Sequence, residues 1–165
     1  SLMKTKLLLV YGYLLPILVS LLISGLPYIF GFTQYYEDIA LYFSGNLELI
    51  FAFLAAIGAV TYPFQYTILH ESNADVLTVL EKSKVRRTFI RASTFQAVLI
   101  VFFVFLILFL SAKEIGTQLD GFLELLSTSM IIFESVALIS NGRSYSQIRE
   151  KIIIGIQKSK TNTEE

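Results

Sequence analysis

Apolar residues collect into four long runs, separated by three short polar connections. The runs cover 7–30, 47–69, 92–112 and 122–140. Each is close to the roughly 20 residues a helix needs to cross a hydrocarbon core about 30 Å thick. The first run carries no charge and the second only Glu48. The third is unbroken from 97 to 110, and the fourth carries Glu124 and Glu134. This pattern predicts an all-α integral membrane protein with four transmembrane helices. Residues 1–140 form the transmembrane domain and 141–165 an amphipathic tail.

Lys4 and Lys6 before the first run resemble the start of a secretory signal. The run is too long for a signal core and has no small-residue exit, so it is expected to stay as a helix. Pro16 and Pro27 are expected to kink or end it, which membrane helices tolerate. Met3 is expected to be the natural start, so Ser1 and Leu2 are set aside.

The formal net charge is zero, yet the charges are sorted along the chain. Lys4 and Lys6, then Lys82, Lys84, Arg86, Arg87 and Arg91, then Arg143, Arg149, Lys151, Lys158 and Lys160 all fall on one side of a four-span chain. Lys113 alone falls on the other, among Glu37, Asp38, Glu48, Glu114, Asp120 and Glu124. Basic loops stay in the cytoplasm, so both termini are expected there. Tyr28, Tyr35, Tyr36 and Tyr42 near the outer ends, and Tyr11 and Tyr13 nearer the inner one, suit the interfaces.

Within the spans, polar residues are few and therefore informative. Glu134 sits three residues past the middle of the fourth run, roughly 4–5 Å from the centre. Glu124, Ser127, Thr128, Glu134 and Ser135 share one arc of that helix. The second run offers Glu48, Ala52, Ala55, Ala59, Tyr62 and Tyr66 on a single face. Ala52, Ala55 and Ala59 would let another helix pack closely. These patterns predict facing polar stripes and a cluster of Glu134, Tyr62, Gln65, Tyr66 and Gln96. Glu134 is either structural, fixing helix register through a hydrogen bond, or a proton or cation site or a gate, or it faces lipid or another subunit. The third run, rich in phenylalanine, is expected to be the most lipid-exposed or to pack by shape alone.

The 70–91 connection is expected to extend the second and third spans as a cytoplasmic helical hairpin, with Ser72 capping a helix and Asp75 three residues on. Asn141-Gly142 reads as a helix stop. Tyr145, Ile148, Ile152 and Ile156 then recur at helical spacing, with Arg149 and Lys151 beside them. Such a helix suits an anionic membrane surface or a docked partner. Lys82, Lys84, Arg86, Arg87, Arg91, Arg149 and Lys151 are the expected contacts to headgroups or to that partner. Residues 161–165 read as disordered.

Composition then narrows the chemistry. Only 16% of residues are charged, against about a quarter in soluble domains. There is no cysteine and one histidine, His70, which removes thiolate and bis-histidine metal or haem sites. No phosphate-binding glycine motif or nucleophile–histidine pairing is present, and Ser72 near His70 lacks the other parts of a dyad. Neither a catalytic residue, a metal nor a cofactor is expected, and no direct contact with nucleic acid.

The size, the four spans and the basic loop and tail resemble the membrane subunit of the bacterial Kiwa antiphage defence system, across 7–156. The resemblance implies an oligomer that detects phage infection at the envelope and works with a cytosolic DNA-binding effector. It transfers no functional residue. The expected function is a non-enzymatic homo-oligomer, with a tetramer the favoured count, that senses an envelope event or anchors a cytosolic effector. The alternative is a small ion channel or proton-coupled transporter using Glu134, which in kind resembles the single intramembrane carboxylate of small multidrug antiporters.

Overall fold

The computed structural model describes residues 2–113 and 116–163, with side chains from residue 12 onward. Glu114 and the side chains of Lys4, Lys6 and Tyr11 thus lie outside the described residues. Within them the chain forms six α-helices and no strand. These are α1 (Leu2–Ile29), α2 (Gln34–Gly45), α3 (Leu47–Leu69), α4 (Ala74–Lys82), α5 (Val85–Ser111) and α6 (Gln118–Thr161). Four of them, α1, α3, α5 and α6, are long and apolar enough to cross a membrane.

The long helix α6 organises the rest, since every other helix packs against it and α5 does so most extensively. Its 44 residues measure about 66 Å, more than twice the hydrocarbon thickness. Thr117 starts it with a capping box: its side chain accepts from Asp120 N–H, and the Asp120 carboxylate accepts from Thr117 N–H. Lys113 pairs with Asp120 at 3.4 Å at the same end.

The expected stop at Asn141-Gly142 does not occur, and α6 runs through both residues to Thr161. The cause lies in the neighbours. A Cβ on Gly142 would stand 2.7 Å from the Cβ and Cδ1 of Phe64, so this glycine serves close approach of α3 and α6. Asn141 donates its side-chain amide to Gln96 Oε1 at 2.9 Å. Both residues are occupied by packing across helices, not by ending one. The helix also takes in Thr161, where disorder was expected.

Two connections differ from expectation. The first, read as a polar loop, contains α2. Its Tyr36 and Ala40, one turn apart, are buried, with Tyr36 against Gly121 of α6 and Ala40 against Gly116. Gly31, with φ +76°, makes the reversal between α1 and α2 in a conformation that favours glycine. The second connection is half of the expected hairpin: α5 extends the third span back to Val85, but α3 stops at Leu69 and α4 is a separate nine-residue helix. Asn73 caps it, accepting from Asp75 N–H and Val76 N–H, in place of the expected Ser72.

Two apolar cores result. One, among the spans, centres on Ile50, Ile107 and Ile131. The other lies where the basic residues gather, and joins Ile68, Val76, Leu80 and Tyr145, flanked by Phe89, Ile148, Ile152 and Ile156. The apolar face of the tail is therefore covered by its own chain, through α4 and the foot of α5.

Span exposure is also redistributed. The second span, α3, is the least buried of the four, a place expected for α5 unless it packed by shape alone. Glu48, Ala52, Ala55, Ala59, Tyr62 and Tyr66 all face outward on α3. The buried side of α3 is Ile50, Thr61 and Ile68. The facing stripes predicted for the second and fourth spans are thus replaced by one polar stripe, on α6. The small-residue face of α3 is thus left uncovered among the described residues, and does not serve packing against α6.

Candidate functional site

The polar stripe of α6 is where the chain departs most from simple packing. Glu124, Ser127, Glu134 and Ser135 are all buried. Their spacing of three, seven and one places them along the side that the other helices cover. Ser127 and Ser135 hydroxyls donate to carbonyls one turn back, Leu123 O at 2.6 Å and Ile131 O at 2.5 Å. Their hydroxyls are spent on their own helix. Glu134 is different: it is 0% exposed, and neither carboxyl oxygen has a hydrogen-bond partner among the described residues. Glu124 has one such oxygen, Oε2. On α1, Ser20 is also buried with its hydroxyl unpartnered, and Ser24 accepts at its carbonyl from the Tyr36 hydroxyl at 2.5 Å.

Leaving a buried polar group unpaired costs roughly 1–3 kcal/mol, more for a charged one. Glu134, and one oxygen of Glu124, carry such a cost among the described residues. What they offer in return is a reactive spot: each can take up a proton, a cation or a donor brought by another chain.

The predicted cluster around Glu134 does not assemble. Gln96 is buried but bonds Asn141. Gln65 is half-buried, with its own unpartnered Oε1. Tyr62 and Tyr66 are 67% and 49% exposed, on the outer face of α3. There they form a ladder of rings, Tyr62 6.1 Å from Tyr66, and Tyr66 stacked on His70 at 4.2 Å. The reason is the rotation of α3 set by Phe64 and Ile68, which turns the tyrosine face away from α6.

The basic end holds a second constellation, which reading the sequence missed. Glu71 lies in the α3–α4 connection, its side chain 1% exposed. It accepts from Arg149 Nε at 2.8 Å and from the Tyr145 hydroxyl at 3.3 Å, and Glu71 Oε1 accepts from Asn73 N–H at 3.1 Å. Burial pushes the Glu71 carboxyl up, but the Arg149 and Asn73 hydrogen bonds, the Arg149 charge and the Tyr145 hydroxyl outweigh it. They hold the carboxyl below its ordinary value of 4.5. The signal was present, because Tyr145 and Arg149 stand four apart on one helix face. What it lacked was the acceptor, which no local pattern ties to them.

Of the seven basic residues singled out, Arg149 is thus tied into this knot. Arg86 donates Nη2 to Leu69 O at 3.0 Å, closing the carbonyl end of α3. Arg86 also lines a cleft of about 430 Å³ with Glu81, Lys84, Arg87, Ile90 and Arg91. Lys82 and Lys151 are exposed. A second cleft, about 590 Å³, lies between the end of α3 and the extension of α6, lined by Tyr66, His70, Arg149 and Ile153 among others. No group of three or more histidine, aspartate or glutamate side chains among the described residues could hold a metal ion.

Compared with known proteins, the chain matches no family model, no curated protein and no solved structure, so its site is read from its own residues.

Proposed function

We propose that this chain is a non-enzymatic, homo-oligomeric subunit of a bacterial inner membrane that relays an envelope event to a cytosolic effector. Its basic end lies in the cytoplasm, with both termini. The observation that carries the reading is the continuity of α6. One rigid helix joins the unpartnered Glu124 and Glu134 among the spans to the Glu71–Tyr145–Arg149 knot at the basic end. A shift of α6 in the membrane therefore moves the surface that a cytosolic protein would meet, because no loop intervenes to absorb it.

The outward face of α3 supports assembly. Ala52, Ala55 and Ala59 are left exposed within the single chain, on the helix that is least buried. Small residues in that arrangement suit close packing against a second copy. The cleft of Tyr66, His70, Arg149 and Ile153 supports a docking surface for the effector. A role in antiphage defence, with such an effector binding DNA, follows from the resemblance to the Kiwa membrane subunit.

The test is purification from native membranes with a tag on the C-terminus. One defined cytosolic protein at fixed stoichiometry is expected to co-purify and to be lost on replacing His70 and Ile153. A chain that purifies alone, with or without those changes, would remove the effector from the proposal.

A second reading, a proton-coupled transporter or small channel, is favoured by one observation: the bare carboxyl of Glu134. Flux through proteoliposomes holding the pure chain, abolished by Glu134→Gln, is its signature.

A further inference from the structure

The foot of α5 carries an arrangement that neither the relay nor the transporter reading uses. Lys84, Arg86, Arg87 and Arg91 line one cleft, and none of the four makes an ion pair among the described residues, although Glu81 also borders it. Arg86 Nε is buried and has no hydrogen-bond partner among the described residues. Lys84, the residue before α5, has a left-handed backbone, φ 59°, and gives no side-chain cap. The first-turn N–H groups of a 27-residue helix are thus left open beside four cations.

Above the cleft, on the same side of the helix, runs an exposed apolar ridge. Phe95, Val98, Val101, Phe102, Phe105 and Phe109 are each between 37% and 68% exposed. At 100° per residue, these six positions fall with Arg87 and Arg91 inside one arc of about 120°. The stretch 92–111 above Arg91 is about 30 Å long, the thickness of the hydrocarbon core. The cations therefore stand at the level where acyl chains give way to headgroups, with a chain-length apolar track directly above them.

We propose that this groove is a binding site for one anionic phospholipid, in the leaflet at the basic end. Its phosphate sits between Lys84, Arg87 and Arg91, with Arg86 Nε and the open end of α5 as further donors. Its acyl chains lie along the Phe95–Phe109 ridge. Depth decides the source of the phosphate: a soluble anion has no use for the ridge, whereas a lipid fills both halves of the site. Arginine suits the role, because its planar fork meets phosphate oxygens in pairs.

The experiment is native mass spectrometry of the full chain in detergent, titrated separately with phosphatidylglycerol, phosphatidylcholine and inorganic phosphate. One phosphatidylglycerol per chain is expected to bind, with phosphatidylcholine weaker and inorganic phosphate failing to displace it. R87Q/R91Q is expected to weaken phosphatidylglycerol roughly thirtyfold, from the usual contribution of two basic residues near an anionic surface. K158Q/K160Q removes the same charge from the exposed tail and is expected to change nothing. Equal losses in the two pairs, equal binding of both lipids, or displacement by inorganic phosphate would each overturn the proposal. A second readout does not depend on the arginine variants folding. Val98→Trp fluorescence is expected to be quenched more by phosphatidylglycerol with brominated chains than by the matching phosphatidylcholine. Equal quenching by the two would sink the site.

Discussion

Arg149 of α6 donates to Glu71 of the α3–α4 connection at 2.8 Å, across 78 positions of sequence, and so ties the end of the long helix to the end of the second span. The Glu71 carboxylate is enclosed, while the arginine is 36% exposed. One partner is therefore costly to leave alone and the other is not.

Glu71 makes the basic end sensitive to acid. Its folded-state value lies below the ordinary 4.5, so the contact contributes fully at neutral pH and is lost as pH falls through the lowered value. Hydrogen exchange of α4 and of the α6 extension is expected to accelerate below about pH 4.5 while the spans stay protected. Glu71→Gln is expected to flatten that dependence and to cost roughly 1–3 kcal/mol of protection at neutral pH.

Four glycines divide by what surrounds them. Gly121 meets the Tyr36 backbone and Gly142 meets Phe64, so alanine at either must push α2 or α3 away from α6. Each change is expected to cost about 1–3 kcal/mol in thermal unfolding in detergent. Gly25 and Gly58 have nothing within 4 Å. Alanine there is expected to be neutral or to stabilise by about 0.5–1 kcal/mol, through helix propensity. Four equal shifts would refute the packing account.

Glu134 is expected to be replaceable for stability and not for function. Both its oxygens lack partners among the described residues, so Glu134→Leu loses no hydrogen bond there and is expected to leave the melting temperature unchanged or raise it, by up to about 2 kcal/mol in free energy. A clear fall in stability would mean that the carboxyl has a partner in the assembled protein, contributed by another chain.

The alanine face of α3 is expected to control subunit count. Ala55→Leu with Ala59→Leu adds bulk to a surface exposed among the described residues, so the monomer should remain folded. Light scattering in detergent is expected to show a smaller particle than the native chain. An unchanged mass would assign this face to lipid and move the interface elsewhere.

How much was legible before the structure depends on the distance over which each signal acts. The bounds of α3 fell at Leu47 and Leu69, as the hydropathy of that run indicated. The polar stripe of α6 was visible because its period is a property of one helix. Three errors share a cause. The local habit of Asn141 and Gly142 predicts a stop, but their partners Gln96 and Phe64 are 45 and 78 positions away. The depth of Tyr62 and Tyr66 predicts a place beside Glu134, whereas the packing of Phe64 and Ile68 turns them outward. The short α2 was missed because its burial is supplied by Gly116 and Gly121, far along the chain.

The sequence by itself determined that the chain is all-helical with four membrane-length helices, and that its charge is split between two ends. Those properties follow from runs of 20 or so residues, in which every backbone polar group is satisfied inside its own helix. Only the tertiary structure decided which face of each helix looks inward and that α6 is continuous through Gly142. It also decided that Glu71 closes onto Arg149 and that Glu134 has no partner among the described residues. Helix faces in an apolar solvent gain little from burying one apolar residue over another. Their choice rests on shape, on glycine at the crossings and on a few hydrogen bonds between distant residues, none of which is written in a local period.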